Sequence, residues 1–343
     1  MRLILDAAED AAHGDWLRET PGGYEWWYFD ALSDDGVWAM TCIWFLGNPF
    51  SPYYRAAALG QPGDPWEQNA LFFALYKEGR LHAYHFTQFP KSQICADEQR
   101  PASLRFGPND LSQPQTGLYR IQIADENANR RTLIADLTFD APPLQAEAVQ
   151  VDGGLDAHFW LPAAPQCRVR GQISLRELNN SGVERIAFTG QGYHDHNWGA
   201  LPFSASLRDW YWARAALSDQ RTVILYHVRP RHSEAISHLL LFENGRLTRH
   251  DPQANVSQTR YRLNGFGTAY ATQLTAQTDG LTAVFHLGAR LDSAPFYLRT
   301  LCHADITEAG RVVSGTGLGE YFRPQSMSSR IAESAMKARV VRA

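Results

Sequence analysis

Cysteine is scarce in this sequence of 343 residues, and the four cysteines are scattered. Cys42, Cys95, Cys167 and Cys302 form no Cys-x-x-Cys pair, which excludes the common zinc-knuckle and dithiol redox motifs. Isolated thiols of this kind are typical of small core residues in a reducing compartment.

Long apolar runs and blocks of one charge are also absent. No stretch approaches the ~18 apolar residues of a membrane-spanning helix. Acidic residues follow the short apolar run at the start, so no signal peptide is expected. The net charge is −4 without a block of Lys and Arg, which argues against binding to nucleic-acid phosphates. We therefore expect a cytoplasmic protein that binds no nucleic acid.

Motifs for nucleotides and for nucleophilic serine are missing as well. The glycine-rich segments Gly265–Gly267 and Gly315–Gly319 lack the strand-to-helix pattern and downstream acid of a dinucleotide site. The sequence contains no P-loop and no Gly-x-Ser-x-Gly motif. The sequence therefore gives no support for hydride or phosphoryl transfer, and no cofactor is expected.

The residues that are present favour β-structure. Aromatic residues make up 12% of the chain, which suits thick β cores, a site for a flat or cationic species, or both. Short β-branched or aromatic stretches alternate with turn residues, and they are Val37–Phe45, Ala70–Tyr76, Thr132–Phe139, Arg168–Leu175, Thr222–Val228, Leu281–Leu287 and Phe296–Leu301. Asn244-Gly245 predicts a hairpin, because both residues accept the positive φ of a type I′ turn. We predict an all-β protein of sandwiches or barrels.

The length of the chain fits two domains. The turn-rich segment Asn197–Ser206 separates two strand-rich halves, so we predict one domain over residues 1–200 and a second over 207–343. Helices are few: Pro65–Gln68 predicts one turn, and Ser326–Val340 has helical composition, with Ile331, Ala335 and Met336 on one side. This basic C-terminal helix could dock on the protein, fray, or contact a membrane surface.

The densest polar segment is Gly190–Gly199, where glycines predict a bulge or a close backbone approach. Strand alternation gives it two faces, Tyr193, Asp195 and Asn197 against His194, His196 and Trp198. If the first face lines a pocket, desolvation favours the neutral acid at Asp195, which could then donate a proton with Tyr193 and Asn197 orienting it. Alternatively, Asp195 and Asn197 bond turn amides at a barrel rim.

Metal binding is a weaker interpretation of the same segment. His194 and His196 at positions i and i+2 would converge on a metal ion, but a third ligand would have to come from a distant strand. Nothing else in the sequence identifies such a ligand, and no metal is expected.

A second aromatic segment, Gly22–Asp30, carries large rings on both faces. Alternation separates Tyr24, Trp26 and Tyr28 from Glu25, Trp27 and Phe29. An unpaired carboxylate among rings is costly, so we expect Glu25 to pair with an arginine such as Arg214, or to be protonated.

Other aromatic segments could complete an apolar site. Asn48–Tyr54 is typical of a proline-held loop that presents Tyr53 and Tyr54, and Trp210 and Trp212 share one face of a strand. Each is most typical of a core, but together they supply enough rings to line a hydrophobic tunnel. The candidate substrate-binding residues are Glu25, Trp26, Tyr28, Tyr53, Asn197, Trp198, Trp210 and Trp212.

Five segments in order resemble those of bacterial carotenoid 1,2-hydratases (hydroxyneurosporene synthases): Tyr24–Asp30, Phe50–Tyr54, Trp160–Pro165, Tyr193–Gly199 and Trp210–Ala215. That family belongs to a tandem lipocalin-like superfamily, which also includes decalin-forming Diels–Alderases. The resemblance implies two lipocalin-like β-barrel or β-sandwich domains and an apolar polyene or terpenoid substrate.

The resemblance also implies a reaction and its residues. A Trp, a Tyr and an Asp are implicated in catalysis in the hydratases, and by motif position these are Trp160, Tyr193 and Asp195. The implied reaction is cofactor-free addition of water to a terminal C=C, in which Asp195 protonates the alkene and ring faces stabilise the carbocation.

The segment around Asp195 departs from the hydratase pattern. His194, His196 and Trp198 make it more similar to the pericyclase branch, which puts a carotenoid substrate in doubt more than the fold. Two alternatives therefore stay open, a Diels–Alderase or cyclase of a linear polyene and a non-catalytic carrier of apolar ligands. Oligomeric state does not follow from the sequence.

Overall fold

A computed structural model describes residues 2–127, 130–146, 158–176 and 182–342. The chain forms two compact units, one from residues 1–78, 82–202 and 336–343 and the other from 79–81 and 203–335. Each unit is built on one sheet.

The strands of the first sheet are β1 (Arg2–Leu3), β2 (Tyr24–Ser33), β3 (Trp38–Leu46), β4 (Asn69–Lys77), β5 (Arg80–Phe89), β6 (Ile94–Ala96), β7 (Leu104–Phe106), β8 (Asn109–Gln115), β9 (Leu118–Glu126), β10 (Thr132–Asp140), β11 (His158–Arg176), β12 (Val183–Gly199) and β22 (Val341–Arg342). They follow the order β22-β5-β4-β3-β2-β12-β11-β10-β9-β8-β7-β6, and β1 pairs with β11. The short strands β1 and β22 pair in parallel. The long central strand β12 pairs antiparallel with β11 on one side and with β2 on the other.

The second sheet consists of β13 (Leu207–Leu217), β14 (Arg221–Pro230), β15 (Ile236–Glu243), β16 (Arg246–Asp251), β17 (Asn255–Leu263), β18 (Ala269–Thr278), β19 (Leu281–Ser293), β20 (Tyr297–Glu308) and β21 (Arg311–Phe322). Its order is β16-β15-β14-β13-β21-β20-β19-β18-β17. Asn244 and Gly245 join β15 to β16 with φ of 49° and 76°, which confirms the predicted hairpin.

The helices are short: α1 (Asp15–Arg18), α2 (Pro52–Ala58), α3 (Phe203–Ser206) and α4 (Arg330–Arg339), with 3₁₀ turns at Ala7–Asp10, Pro65–Glu67, Lys91–Gln93 and Pro324–Ser328. Within the described residues, none of these helices has the length and apolar character to cross a bilayer. The predicted all-β class is confirmed, and each of the seven stretches predicted above overlaps a strand.

Two local predictions were wrong. The predicted loop Asn48–Tyr54 runs into helix α2, which begins because the Ser51 side chain accepts hydrogen bonds from the backbone N–H of Tyr53 and Tyr54, and Pro52 fits the first helical position. The C-terminal helix, α4, is shorter than predicted and is preceded by a 3₁₀ turn.

The buried side of the C-terminal helix also differs from the prediction. In α4, Ala332 and Met336 are buried four residues apart, whereas Ile331 is 67% exposed. The sequence pattern had placed Ile331 and Ala335 on the apolar side.

The core of the first unit lies against one face of β2 and β12. It contains large side chains from several strands, including Trp27, Phe29, Trp44, Phe73, Phe139 and Trp198. The opposite face of the same two strands carries the polar and aromatic side chains described in the next subsection.

Glycines let β12 lie close to β2. A Cβ atom on Gly190 would be 2.1 Å from the carbonyl oxygen of Leu32, and one on Gly192 would be 2.7 Å from that of Asp30. This confirms the predicted close backbone approach in the Gly190–Gly199 segment.

Substitution of Gly190 by alanine tests this approach. We expect Gly190→Ala to destabilise the protein by about 1–3 kcal/mol, because the new methyl group forces β12 away from β2. The measurement is the urea midpoint followed by tryptophan fluorescence. Gly265→Ala is the control, since nothing lies within 4 Å of a Cβ there; equal midpoints for the two variants would contradict the steric argument.

Candidate active site

Strand β12 presents alternate side chains to its two faces, as predicted. Asp195 pairs with Tyr28 of β2, and Asn197 pairs with both Trp26 of β2 and Trp160 of β11. Side chains of directly paired residues lie on the same face of a sheet. These five residues therefore share one face.

A tryptophan and a tyrosine converge on the Asp195 carboxyl group. The Tyr193 hydroxyl donates to Oδ2 of Asp195 at 2.8 Å, and Nε1 of Trp160 donates to the same oxygen at 3.0 Å. Nε1 of Trp160 is also 3.2 Å from the Tyr193 hydroxyl. Burial, and next the neighbouring Asp195 carboxyl group, raise the pKa of Tyr193 well above its usual range, so the phenol keeps the proton that it donates.

A third donor reaches the other carboxyl oxygen. Nδ2 of Asn197 donates to Oδ1 of Asp195 at 2.7 Å. Asp195, Asn197, Tyr193 and Trp160 are all buried. The three donors are side chains, whereas the alternative prediction had Asp195 and Asn197 bonding turn amides.

His158, which the sequence analysis missed, adjoins this group. Burial lowers the pKa of His158 to about 3, and a hydrogen bond with Asn197 opposes that shift only in part. The ring is therefore neutral at pH 7, and its Nδ1 lies 3.0 Å from the Tyr24 hydroxyl. His158, bonded to Tyr24, thus adjoins Asn197, whose amide donates to Asp195.

Aromatic rings extend from Asp195 along the same face. The Tyr28 ring meets Tyr193 edge-on, with 6.2 Å between centroids. Trp26 stacks on His158 at 5.4 Å, and it is 6.4 Å from the Phe45 ring. The carboxyl group therefore lies at one end of an apolar, ring-covered surface.

The opposite face of β12 holds a second polar group. Glu25 accepts hydrogen bonds from His13 and His196. Glu25 is thus paired with histidines, and the prediction that it pairs with an arginine was wrong. Burial raises the pKa of Glu25, but the bonds from the two histidines outweigh it and bring the pKa to about 2.

The structure does not gather every predicted substrate-binding residue around Asp195. Glu25 and Trp198 lie on the core-facing side of the sheet, because their positions in the strands alternate with those of Trp26 and Asn197. The alternation predicted this separation from Asp195, and a contact of Glu25 or Trp198 with substrate stays a prediction.

The remaining predicted residues lie elsewhere in the fold. Trp210 and Trp212 belong to β13 of the second unit, where both are buried. Tyr53, on α2, is 42% exposed, and the cations of Lys337 and Arg342 lie 5.2 and 5.1 Å from the centre of its ring.

Two of the residues that sequence analysis missed differ in how easily they could be found. His158 stands two positions before Trp160, so strand alternation would place it on the same face as Trp160. His13 lies between a 3₁₀ turn and a short helix, where no periodic pattern identifies its neighbours.

Comparison with known proteins gives concordant results. A family model described as carotenoid hydratase CrtC matches residues 42–343. A hydroxyneurosporene dehydrogenase from Chlorobaculum tepidum is 29% identical over 362 residues, covering 100% of this chain and 93% of that protein. An acyclic carotenoid 1,2-hydratase from Thiocapsa roseopersicina is 32% identical over 288 residues, covering 83% of this chain and 65% of that protein.

A solved structure shows the same fold at low sequence identity. The crystal structure of a protein described as AttH, from Nitrosomonas europaea, has a TM-score of 0.63 and 16% identity, covering 92% of this chain and 95% of that one. The predicted lipocalin-like fold class is confirmed by this likeness.

Tyr54 fixes the start of the strand that carries Trp26 and Tyr28. Its buried hydroxyl lies 2.6 Å from the carbonyl oxygen of Gly22 and 2.8 Å from that of Gly23, and it donates to this pair. We expect Tyr54→Phe to lower the free energy of unfolding by about 1–3 kcal/mol, because buried carbonyls lose their donor.

Chemical denaturation of Tyr54→Phe measures this cost. Tyr53→Phe is the matched control, since the neighbouring ring is 42% exposed and loss of its hydroxyl should change stability little. A Tyr54→Phe variant as stable as Tyr53→Phe would show that the two carbonyls do not need this donor.

Proposed function

Since this chain belongs to the carotenoid hydratase family, we propose that it adds water to a terminal C=C of an acyclic carotenoid or related polyene, with Asp195 as the proton donor. The observation that carries the proposal is the convergence of Trp160 and Tyr193 on the buried Asp195 carboxyl group. The ring-covered face beside it suits an apolar substrate.

The proposed reaction needs one proton and one water molecule. Neutral Asp195 transfers its proton to the less substituted carbon of the alkene, and a tertiary carbocation forms at the other carbon. A water oxygen bonds to that carbon, and the surplus proton of the water returns to the Asp195 carboxylate. The net change is addition of H and OH across the double bond, so the proposed step requires no cofactor.

Hydrogen-bond donors reach both oxygens of the Asp195 carboxyl group. Oδ2 accepts bonds from both Trp160 and Tyr193, and Oδ1 accepts one from Asn197. All three bonds stabilise the carboxylate left after transfer, which strengthens the acid when the alkene must be protonated.

Nearby rings suit the positive charge that the reaction creates. The faces of Tyr193 and Tyr28, which meet edge-on, are electron-rich and buried. A desolvated cation over such a face gains about 2 kcal/mol. Because the charge exists only after proton transfer, this interaction lowers the barrier instead of tightening substrate binding.

His158 would act as a positioning residue. Its ring adjoins Asn197, whose Nδ2 donates to Asp195, and we infer that it limits rotation of that side-chain amide. A neutral ring at this position adds no positive charge that would repel a carbocation.

Substitution of the acid tests the proposal directly. We expect Asp195→Asn to lower turnover of neurosporene or lycopene by at least about 100-fold, because an amide cannot supply the proton. The assay is formation of hydroxylated product by purified protein without added cofactor. Asp125→Asn is the control: this buried carboxyl group accepts bonds from His85 and Thr87, away from the proposed acid.

Other outcomes of this assay would contradict the proposal. A wild-type protein that binds these polyenes without turnover, and an Asp195→Asn variant of equal affinity, would indicate a carrier. Cyclised product from a linear polyene, with only a modest loss in Asp195→Asn, would indicate a cyclase that acts by folding its substrate.

A second substitution separates the tryptophan ring from its N–H group. Trp160→Phe keeps an aromatic face but removes the donor to Asp195, and we expect turnover to fall about 10–100-fold, as for loss of a hydrogen bond to a charged group. Trp38→Phe is the control, because Trp38 packs edge-on against His82 and donates nothing to Asp195. Unchanged turnover in Trp160→Phe would remove Trp160 from the proposed machinery.

A further inference from the structure

Two histidines and a carboxylate converge on the core-facing side of β12. Nδ1 of His13 lies 2.8 Å from Oε1 of Glu25, and Nε2 of His196 lies 2.9 Å from the same oxygen. One potential ligand atom from each of the three residues lies within 4.8 Å of the other two. The residues come from three separate parts of the chain: the N-terminal segment, β2 and β12.

The outer nitrogens of both imidazoles have acceptors of their own. Nδ1 of His196 lies 2.9 Å from the backbone carbonyl oxygen of Glu9, which can only accept, so one hydrogen of that ring is on Nδ1. Nε2 of His13 lies 3.2 Å from the Glu9 carboxylate. Histidines that bind metals characteristically donate from the second nitrogen to a carbonyl or carboxylate in this way.

The inner nitrogens of both rings reach one acceptor. Nδ1 of His13, Nε2 of His196 and the backbone N–H of His13 all lie within hydrogen-bond distance of Oε1 of Glu25. Without a metal ion, protons lie between the ring nitrogens and this oxygen. A metal ion between the three side chains would displace those protons and bond all three ligand atoms at once.

Burial and charge favour a divalent ion at this position. Glu25 and His196 are buried, and 11% of the His13 side chain is exposed. The buried carboxylate of Asp10 lies 3.7 Å from Nδ1 of His196 and adds a second negative charge. Two histidine nitrogens and one carboxylate oxygen form a ligand set typical of zinc.

We propose that His13, Glu25 and His196 bind one Zn²⁺ ion, which fastens the N-terminal segment to β2 and β12. The site is separate from the proposed hydration, because its ligands lie on the opposite face of β12 from Asp195. The role of the ion is to hold the core-facing side of β12, the strand that carries Asp195. Zinc uptake and polyene turnover are separate measurements, so failure of one proposal is distinguishable from failure of the other.

Zinc binding is tested on the full chain after removal of metals with a chelator. Titration with ZnCl₂ by calorimetry should show one ion per chain, and elemental analysis after gel filtration should retain it. Zinc should also raise the melting temperature, since a ligand bound to the folded state stabilises it. We expect His13→Gln and Glu25→Gln to weaken zinc binding by at least about tenfold.

His82→Gln is the matched control for this experiment. His82 and Glu184 form a histidine–carboxylate pair at 2.9 Å, but they do not belong to the three-residue group. This variant should bind zinc like the wild type. Glu9→Gln, which weakens an acceptor behind His13, should give an intermediate affinity.

The two ligand variants keep the result interpretable. His13 lies in the N-terminal segment outside the strands, so His13→Gln decides the question if Glu25→Gln does not fold; circular dichroism checks folding. A wild-type chain without stoichiometric zinc uptake would overturn the proposal. So would equal zinc affinity in His13→Gln, Glu25→Gln and the wild type, which would place any bound ion elsewhere.

Discussion

Strand β12 is paired on both sides, by β2 and by β11, and this double pairing fixes the direction of each of its side chains. A slip of one residue would exchange the two faces of the strand. Asp195 would then enter the core of the first unit, and His196 would take its place among the rings. Both polar groups of the molecule described above therefore depend on one register, which the close approach at Gly190 helps to hold.

Because these polar groups are buried, they need hydrogen-bond partners within the protein. A carboxyl group removed from water needs hydrogen-bond donors, and Asp195 finds them on Trp160, Tyr193 and Asn197. The donors that offset the cost of burying Asp195 are also those that would stabilise its conjugate base during proton transfer. Stability and the proposed chemistry consequently rest on the same contacts, with His158 one step further from the acid.

Local pattern was enough to predict much of this arrangement. Alternation in the Gly190–Gly199 segment separates Asp195 from His196, and the structure agrees because both edges of β12 are paired. The position of Trp160 opposite Asn197 does not follow from alternation within one strand. It depends on the register between β11 and β12, which shifts after Leu161, and only motif resemblance pointed to it. His13 could not be predicted, since an irregular segment brings it to Glu25.

The first and last strands of the described chain belong to the same sheet. Strand β1 pairs with β11 and strand β22 pairs with β5, so the first sheet incorporates segments from both extremities of the described chain. The second unit, over 203–335, therefore lies in sequence between parts of the first. A polypeptide cut after Pro202 would lack an edge strand of its own sheet, and a bulky fusion after Arg342 would crowd that edge. Engineering of separate halves must accordingly treat the last residues as part of the first unit.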